Sequence, residues 1–361
     1  MIEKQHIEQL LSTDIDPYLG VDLIKAGAVK QLAVDNGRVS LELELGFPTA
    51  VYESVLKERL TGLIGAADGV DSVDIRISSR IIAHAVQKTA SHLEGVKNII
   101  AVASGKGGVG KSTVSANLAL ALQAEGAAVG VLDADIYGPS QARMLGMNGK
   151  PELTAEKKLA PKHPYGMQAM SIGLLIEEDT AMIWRGPMVT QALQQLLNDT
   201  QWTDVDYLII DLPPGTGDVQ LTLSQQIPVA GAVIVTTPQD IALLDARRAV
   251  KMFEKVEVPV LGVVENMSVH VCSQCGHAER IFGEGGGARM AQDYGVELLG
   301  ELPLDISIRE QLDAGAPSVV ADPDGTIAES FYEIARKIAA RLSLRGKDYS
   351  GVFPKIVVEN D

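Results

Sequence analysis

Apolar Val39, Leu41, Leu43 and Leu45 alternate with Ser40, Glu42 and Glu44, the period-two signature of a strand with one buried and one wet face. The stretch Gln31-Leu-Ala-Val34 precedes it, and Asp35-Asn36-Gly37 lies between the two. Asn-Gly tolerates the positive φ of a tight hairpin, so the pair predicts antiparallel strands. Val55, Leu56, Leu60, Leu63 and Ile64 then recur at helical spacing, and Val73, Ile75 and Ile77 alternate again. Residues 1–80 are therefore expected to form a small α+β domain. It holds no cluster of His, Cys or Ser with a base, which points to partner docking rather than catalysis. Residues 81–96 follow as a helical or looped linker, in which His84 and His92 are expected to be solvated rather than metal ligands.

From Lys97 onward the pattern changes. Asn98–Ser104, Ala128–Leu132, Tyr207–Ile210, Ala232–Val235 and Val260–Val264 are short, nearly all-apolar runs separated by helical stretches. Strands buried on both faces look like this, so residues 97–345 are expected to be an α/β domain with a mainly parallel sheet covered by helices. Between Met144 and Glu178, Lys157-Lys158 and Pro161–Pro164 suggest a surface hairpin with no chemistry of its own. Residues 346–361 read as a short acidic tail.

Composition narrows the partners. The chain has 361 residues, 46% of them hydrophobic, enough for about two domains with ordinary cores. Lys plus Arg number 31 against 47 Asp plus Glu, a net charge of −16. Such a chain is a poor candidate for holding nucleic acid or an anionic membrane by bulk electrostatics. No apolar run approaches the roughly 18 residues of a membrane span, and Met1-Ile-Glu-Lys-Gln-His does not open a secretory signal. With only two cysteines, Cys272 and Cys275, a disulfide framework is excluded. A soluble, cytoplasmic protein is expected.

Gly105-Lys106-Gly107-Gly108-Val109-Gly110-Lys111-Ser112-Thr113 satisfies GxxxxGK[ST] directly after a predicted strand and before the helical run from Val114 to Gln123. Glycines let successive N–H groups turn inward around phosphate, and the helix N-terminus adds its positive dipole end. Lys111 would reach the β- and γ-phosphates of ATP, and the Ser112 hydroxyl would ligate Mg²⁺. Asp133 and Asp135 lie at the end of one strand and Asp211 at the end of another, where open α/β sheets carry their ligands.

The loop carries a second lysine, Lys106, and so resembles the deviant P-loop family that includes the MinD, ParA and nitrogenase iron-protein ATPases. That resemblance implies that Lys106 crosses a dimer interface to the partner's nucleotide. It implies further that Asp135 positions the attacking water, that Asp133 supports the magnesium shell and that Asp211 holds Mg²⁺ through water. It also makes Pro213–Gly217 a γ-phosphate switch and Asn266 the reader of the adenine edge.

Cys272 and Cys275, flanked by His270 and His277, have a spacing that lets both thiolates close on one metal centre. Zinc sites and most clusters need about four ligands; a two-fold dimer would supply four thiols. Zinc held across a dimer or with His270 or His277, a thiol redox pair, and two incidental cysteines all remain open on the residues alone.

Taken together, the loop 105–113, Leu132-Asp-Ala-Asp-Ile-Tyr-Gly-Pro-Ser140, Trp184-Arg185-Gly186-Pro187-Met188, Asp211-Leu-Pro-Pro-Gly215, Glu265-Asn-Met267 and Cys272–Gly276 resemble the Mrp-type iron–sulfur cluster carrier ATPases. The first domain, with Asp14-Ile-Asp-Pro17, is similar to the SufT-like metal–sulfur cluster biosynthesis domain. The resemblance implies a homodimer that holds a labile 4Fe-4S cluster through Cys272 and Cys275 of each chain. It implies delivery of that cluster to apo iron–sulfur proteins, supply from a cluster assembly scaffold, and slow ATP hydrolysis. The N-terminal cysteine cluster of some eukaryotic relatives is absent. A zinc or nickel metallochaperone ATPase and a MinD/ParA-like positioning ATPase are the competing functions; the latter needs a basic face or a basic amphipathic end.

Overall fold

In a computed structural model, which describes residues 2–87, 92–175, 186–272 and 274–346, the chain folds into a small N-terminal sheet domain and a larger α/β domain. The first begins with α1 (Lys4–Thr13), followed by β1 (Val29–Asp35), β2 (Arg38–Leu45), α2 (Tyr52–Gly65) and β3 (Ser72–Ser79). Its three strands lie in the order β1-β2-β3, with β1 and β2 antiparallel and β3 parallel to β2. The alternation in β2 buries Val39, Leu41, Leu43 and Leu45. Tyr52, Leu56, Leu60 and Ile64, one turn apart, form the buried stripe of α2.

The second domain runs through β4 (Val96–Ala103), α3 (Lys111–Ala124), β5 (Val129–Asp133), α4 (Gln141–Met144), β6 (Gln168–Ser171), α5 (Gly186–Asp199), β7 (Val205–Asp211), α6 (Asp218–Gln226), β8 (Val229–Thr236), α7 (Asp240–Lys255) and β9 (Val260–Glu265). It continues with β10 (His270–Val271), β11 (Ala278–Glu279), α8 (Gly286–Tyr294), β12 (Leu298–Glu301), α9 (Ile306–Asp313), α10 (Ser318–Ala321) and α11 (Thr326–Ser343). Seven strands form one sheet in the order β12-β9-β8-β4-β7-β5-β6, and every neighbouring pair is parallel. Each residue of β8 is buried, as a strand covered on both faces requires. Both edge strands, β6 and β12, lie outside the apolar runs that mark the other five. They are four residues each, too short for periodicity to show.

The surface hairpin is present, with Leu153 bridged to Leu159 and Lys157 at φ 63° in the turn. His84 departs from the sequence expectation. It is buried rather than solvated, because Asn98 Oδ1 at the base of β4 accepts from its backbone N–H at 3.1 Å and lies 3.0 Å from its Nδ1. Trp184, Arg185 and the tail beyond Gly346 lie outside the described residues.

The two domains meet over the ends of α3 and α11. Glu125, the C-cap of α3, is buried, and its Oε2 accepts from the N–H groups of Val51 (3.1 Å) and Tyr52 (3.3 Å) at the start of α2. A helix of one domain is thus capped by a carboxylate from the other. Arg336 on α11 donates from Nε to Glu125 Oε1 at 2.6 Å and lies against the rings of Tyr18, Tyr52 and Tyr332. Tyr52 donates to Asp16 at 2.7 Å, and Arg59 closes the chain on Asp16 at 3.0 Å.

Candidate functional site

The predicted phosphate loop occupies the turn from β4 into α3. Gly110 is left-handed at φ 82°, and a Cβ there would strike the Asn266 amide. Gly105 lies so close to the backbone of Asp245 in α7 that no side chain fits. Glycine is therefore required at both positions by space, and at Gly110 also by backbone conformation.

Lys111, Asp133, Asp135 and Asp211 converge at the mouth of this loop. Lys111 is 6% exposed, with its Nζ 2.5 Å from Asp211 Oδ1 and 3.7 Å from Asp135 Oδ2. Ser112 lies beside it, its hydroxyl 3.5 Å from the same ammonium. Asp133 and Asp211 are register partners on neighbouring strands, so two carboxylates stand side by side in the interior. Burial, and next the charge of Asp211, push the Asp133 carboxyl up to about 7. Asp133 Oδ2 accepts from Ser140 N (2.9 Å), Gln141 N (3.0 Å) and Ser171 Oγ (2.9 Å), and its Oδ1 from Asp135 N (3.2 Å). Its oxygens thus organise the loop that carries Asp135. Burial also raises the Asp135 carboxyl, against the lowering pull of Lys111.

Asp135 Oδ1 is buried with no hydrogen-bond partner among the described residues. An uncompensated carboxylate oxygen beside Asp211 and the Ser112 hydroxyl suits a hydrated hard cation, so these residues fit Mg²⁺. Asn266, at the end of β9, donates from Nδ2 to the Val109 carbonyl at 3.0 Å and accepts from Met267 N at 2.9 Å. It therefore touches the phosphate loop itself. The stretch Pro213–Gly217 is tethered by Gln220, which donates to the Pro214 carbonyl at 2.6 Å. Lys106 is half-buried, and its carbonyl accepts from Ser104 Oγ at 2.9 Å.

Two side chains that no motif marks complete the cluster. Gln141 donates to the Ser112 carbonyl and to Asp211 Oδ2, each at 2.9 Å. Ser115 donates to Asp211 Oδ1 at 3.1 Å. Gln141 follows the turn Gly138-Pro-Ser140 and would pass for an ordinary first helical residue. Only the fold brings it under the loop.

The cysteines are elsewhere, on the hairpin of β10 and β11 that follows Asn266. Its ladder is two residue pairs long; Cys272 N donates to the His277 carbonyl at 2.9 Å and Gly276 N to the Cys272 carbonyl at 2.8 Å. Cys272 is half-buried and Cys275 exposed. N–H groups of Gln274 and Cys275 near its sulfur, followed by the Cys275 thiol, lower the Cys272 thiol below its ordinary range. His270 Nδ1 lies 3.1 Å from the Leu304 carbonyl, which turns that nitrogen toward the backbone. Among the described residues no three His, Cys, Asp or Glu side chains are assembled to hold a metal ion. No described helix is long and apolar enough to cross a membrane.

The sequence profile of the NUBPL iron-transfer P-loop NTPases matches residues 95–339. The chain belongs to that family. A second profile, of iron–sulfur cluster assembly proteins, matches residues 4–75 of this P-loop NTPase. A Haemophilus influenzae protein named iron–sulfur cluster carrier protein is 50% identical over 345 residues, covering 95% of this chain and 93% of its own. The mouse iron–sulfur cluster transfer protein NUBPL is 51% identical over 252 residues, 69% of this chain and 79% of that one. Among solved structures, a nucleotide-binding protein from Archaeoglobus fulgidus in complex with ADP is 37% identical with a TM-score of 0.58, covering 66% of this chain and 93% of that one. The Pyrococcus furiosus cell division ATPase MinD is 25% identical with a TM-score of 0.51, covering 67% and 98%.

Proposed function

We propose that this P-loop NTPase is an iron–sulfur cluster carrier, a homodimer whose protomers each contribute Cys272 and Cys275 to one 4Fe-4S cluster, which is cargo destined for apo iron–sulfur proteins. The observation that carries this reading is the thiol pair at the tip of a short exposed hairpin, on the segment that continues directly from Asn266, which itself touches the phosphate loop. One chain offers two thiols, so a second chain must supply the other pair. Thiolates on an exposed tip leave the cluster open to ligand exchange, which a carrier needs. The names of relatives that align over nearly the whole chain support the reading.

ATP binds on the loop 105–113. Lys111 leaves Asp211 for the phosphates, Lys106 reaches the partner's nucleotide, and Asn266 reads the adenine edge. Asp135 orients the attacking water, and Asp133 holds its loop in place. Ser112 and Asp211 would hold Mg²⁺, which supplies charge neutralisation at the phosphates when bound. Hydrolysis then changes how the two protomers meet and hence the grip of four thiols on the cluster.

Anaerobic reconstitution with iron and sulfide tests this. The expected result is about four irons and four sulfides per dimer, lost in both Cys272→Ala and Cys275→Ala. Stoichiometric zinc with no stable cluster would overturn the carrier reading and leave the ATPase reading standing.

A further inference from the structure

Gln141 is fully buried and sits where three elements of the nucleotide site meet. Its backbone N–H is held by Asp133 at the end of β5. Its side-chain Nε2 is shared between the carbonyl of Ser112, on the phosphate loop, and Oδ2 of Asp211, at the end of β7. The other oxygen of Asp211 is taken by Lys111 and Ser115. Of the three side chains that donate to Asp211 among the described residues, only Lys111 carries a charge that phosphate would draw away. Gln141 is the donor that remains on Oδ2 and fixes the plane of the carboxylate. Its own Oε1 is buried with no hydrogen-bond partner among the described residues, so the amide is placed by its donor end.

We infer that Gln141 is a positioning residue for magnesium: it holds the Asp211 carboxylate and the main chain of Ser112 at a set separation, and so tunes the affinity of the nucleotide site for the cation. This rests on the ATP-and-magnesium reading above. The cation prefers near-ideal octahedral geometry and keeps several waters. A small rotation of Asp211, or a shift of Ser112, therefore costs affinity without removing any ligand. Because α4 begins at Gln141, the same side chain also ties the Asp135 loop to the cation's surroundings.

Gln141→Leu keeps most of the bulk and deletes both hydrogen bonds; Gln141→Met repeats the deletion with a straight side chain, in case leucine does not pack. The full-length variants and the wild type would be titrated with a fluorescent ADP analogue in EDTA and then in rising magnesium. Magnesium dependence of ATP hydrolysis and thermal melting would be followed in parallel. The expected result is analogue affinity in EDTA close to wild type, with the half-saturating magnesium concentration raised by about tenfold, as for the loss of one hydrogen bond to a charged group. An unchanged magnesium titration in a folded variant overturns the inference. So does an equal loss of analogue affinity with and without magnesium, which would mark Gln141 as mere packing. A wild-type protein that binds the analogue but is indifferent to magnesium in both binding and hydrolysis overturns the ATPase reading, and this inference with it.

Discussion

The phosphate loop follows the end of β4 and the cysteine hairpin the end of β9, a few residues past Asn266, yet the two are built by opposite means. Lys111, Asp133, Asp211 and Gln141 are all buried, and each makes at least one hydrogen bond to another member of the cluster or to the loop it supports. The hairpin has two-residue strands, an exposed Val271 and thiols at its tip. Chemistry that must order a phosphate and a water gains from a dry, prearranged surround. Cargo that must leave gains from ligands that other thiols can reach. The first site gathers its lysine, carboxylates and amide within one chain, whereas the second offers two thiols and no third metal-ligating side chain among the described residues.

If the two regions are as separable as their construction suggests, damage to one should spare the other. The largest effect is expected from Lys111→Ala. Loss of the buried ammonium should weaken ATP-dependent turnover by about 100-fold or more, while reconstituted iron and sulfide stay at wild-type levels. A parallel loss of cluster would show that the two sites depend on one another.

A second test removes the far end of the phosphate helix. Glu125→Ala leaves the buried Arg336 guanidinium with Glu329 as its remaining carboxylate and uncaps α2, which should cost about 1–3 kcal/mol in urea unfolding. In hydrogen exchange the amides of Val51 and Tyr52 should open first, with the hairpin unaffected.

The smallest effect sharpens the view of the hairpin itself. N–H groups that favour the Cys272 thiolate lower its titration midpoint, so its alkylation by iodoacetamide should rise at a lower pH than that of the same thiol in urea-unfolded chain. Tryptic mass spectrometry across pH 6–10 would read this. Coincident profiles would mean that the tip is not preorganised.

What was legible in the sequence follows from the same contrast. The phosphate loop announces itself because glycine, lysine and hydroxyl are needed at fixed spacing, and Asp211 because it ends an apolar run. The thiol pair is visible as spacing, but a ligand count is not, since two thiols fall short of the about four ligands a zinc or cluster site needs. Gln141 carries no local sign, because its role exists only once β5, β7 and the loop are side by side. The edge strands β6 and β12 were too short to show a period. His84 resembled a linker residue until Asn98, 14 positions later, supplied its partner.

The joint at Glu125 bears on how the chain is made. The N-terminal domain leaves the ribosome first, yet the cap on its second helix arrives 73 to 74 residues after the groups it serves. The arginine that neutralises that cap follows 211 residues later still. The joint between the domains therefore cannot be completed until α11 has been synthesised, although the first domain's own strands and helices precede it by more than 240 residues.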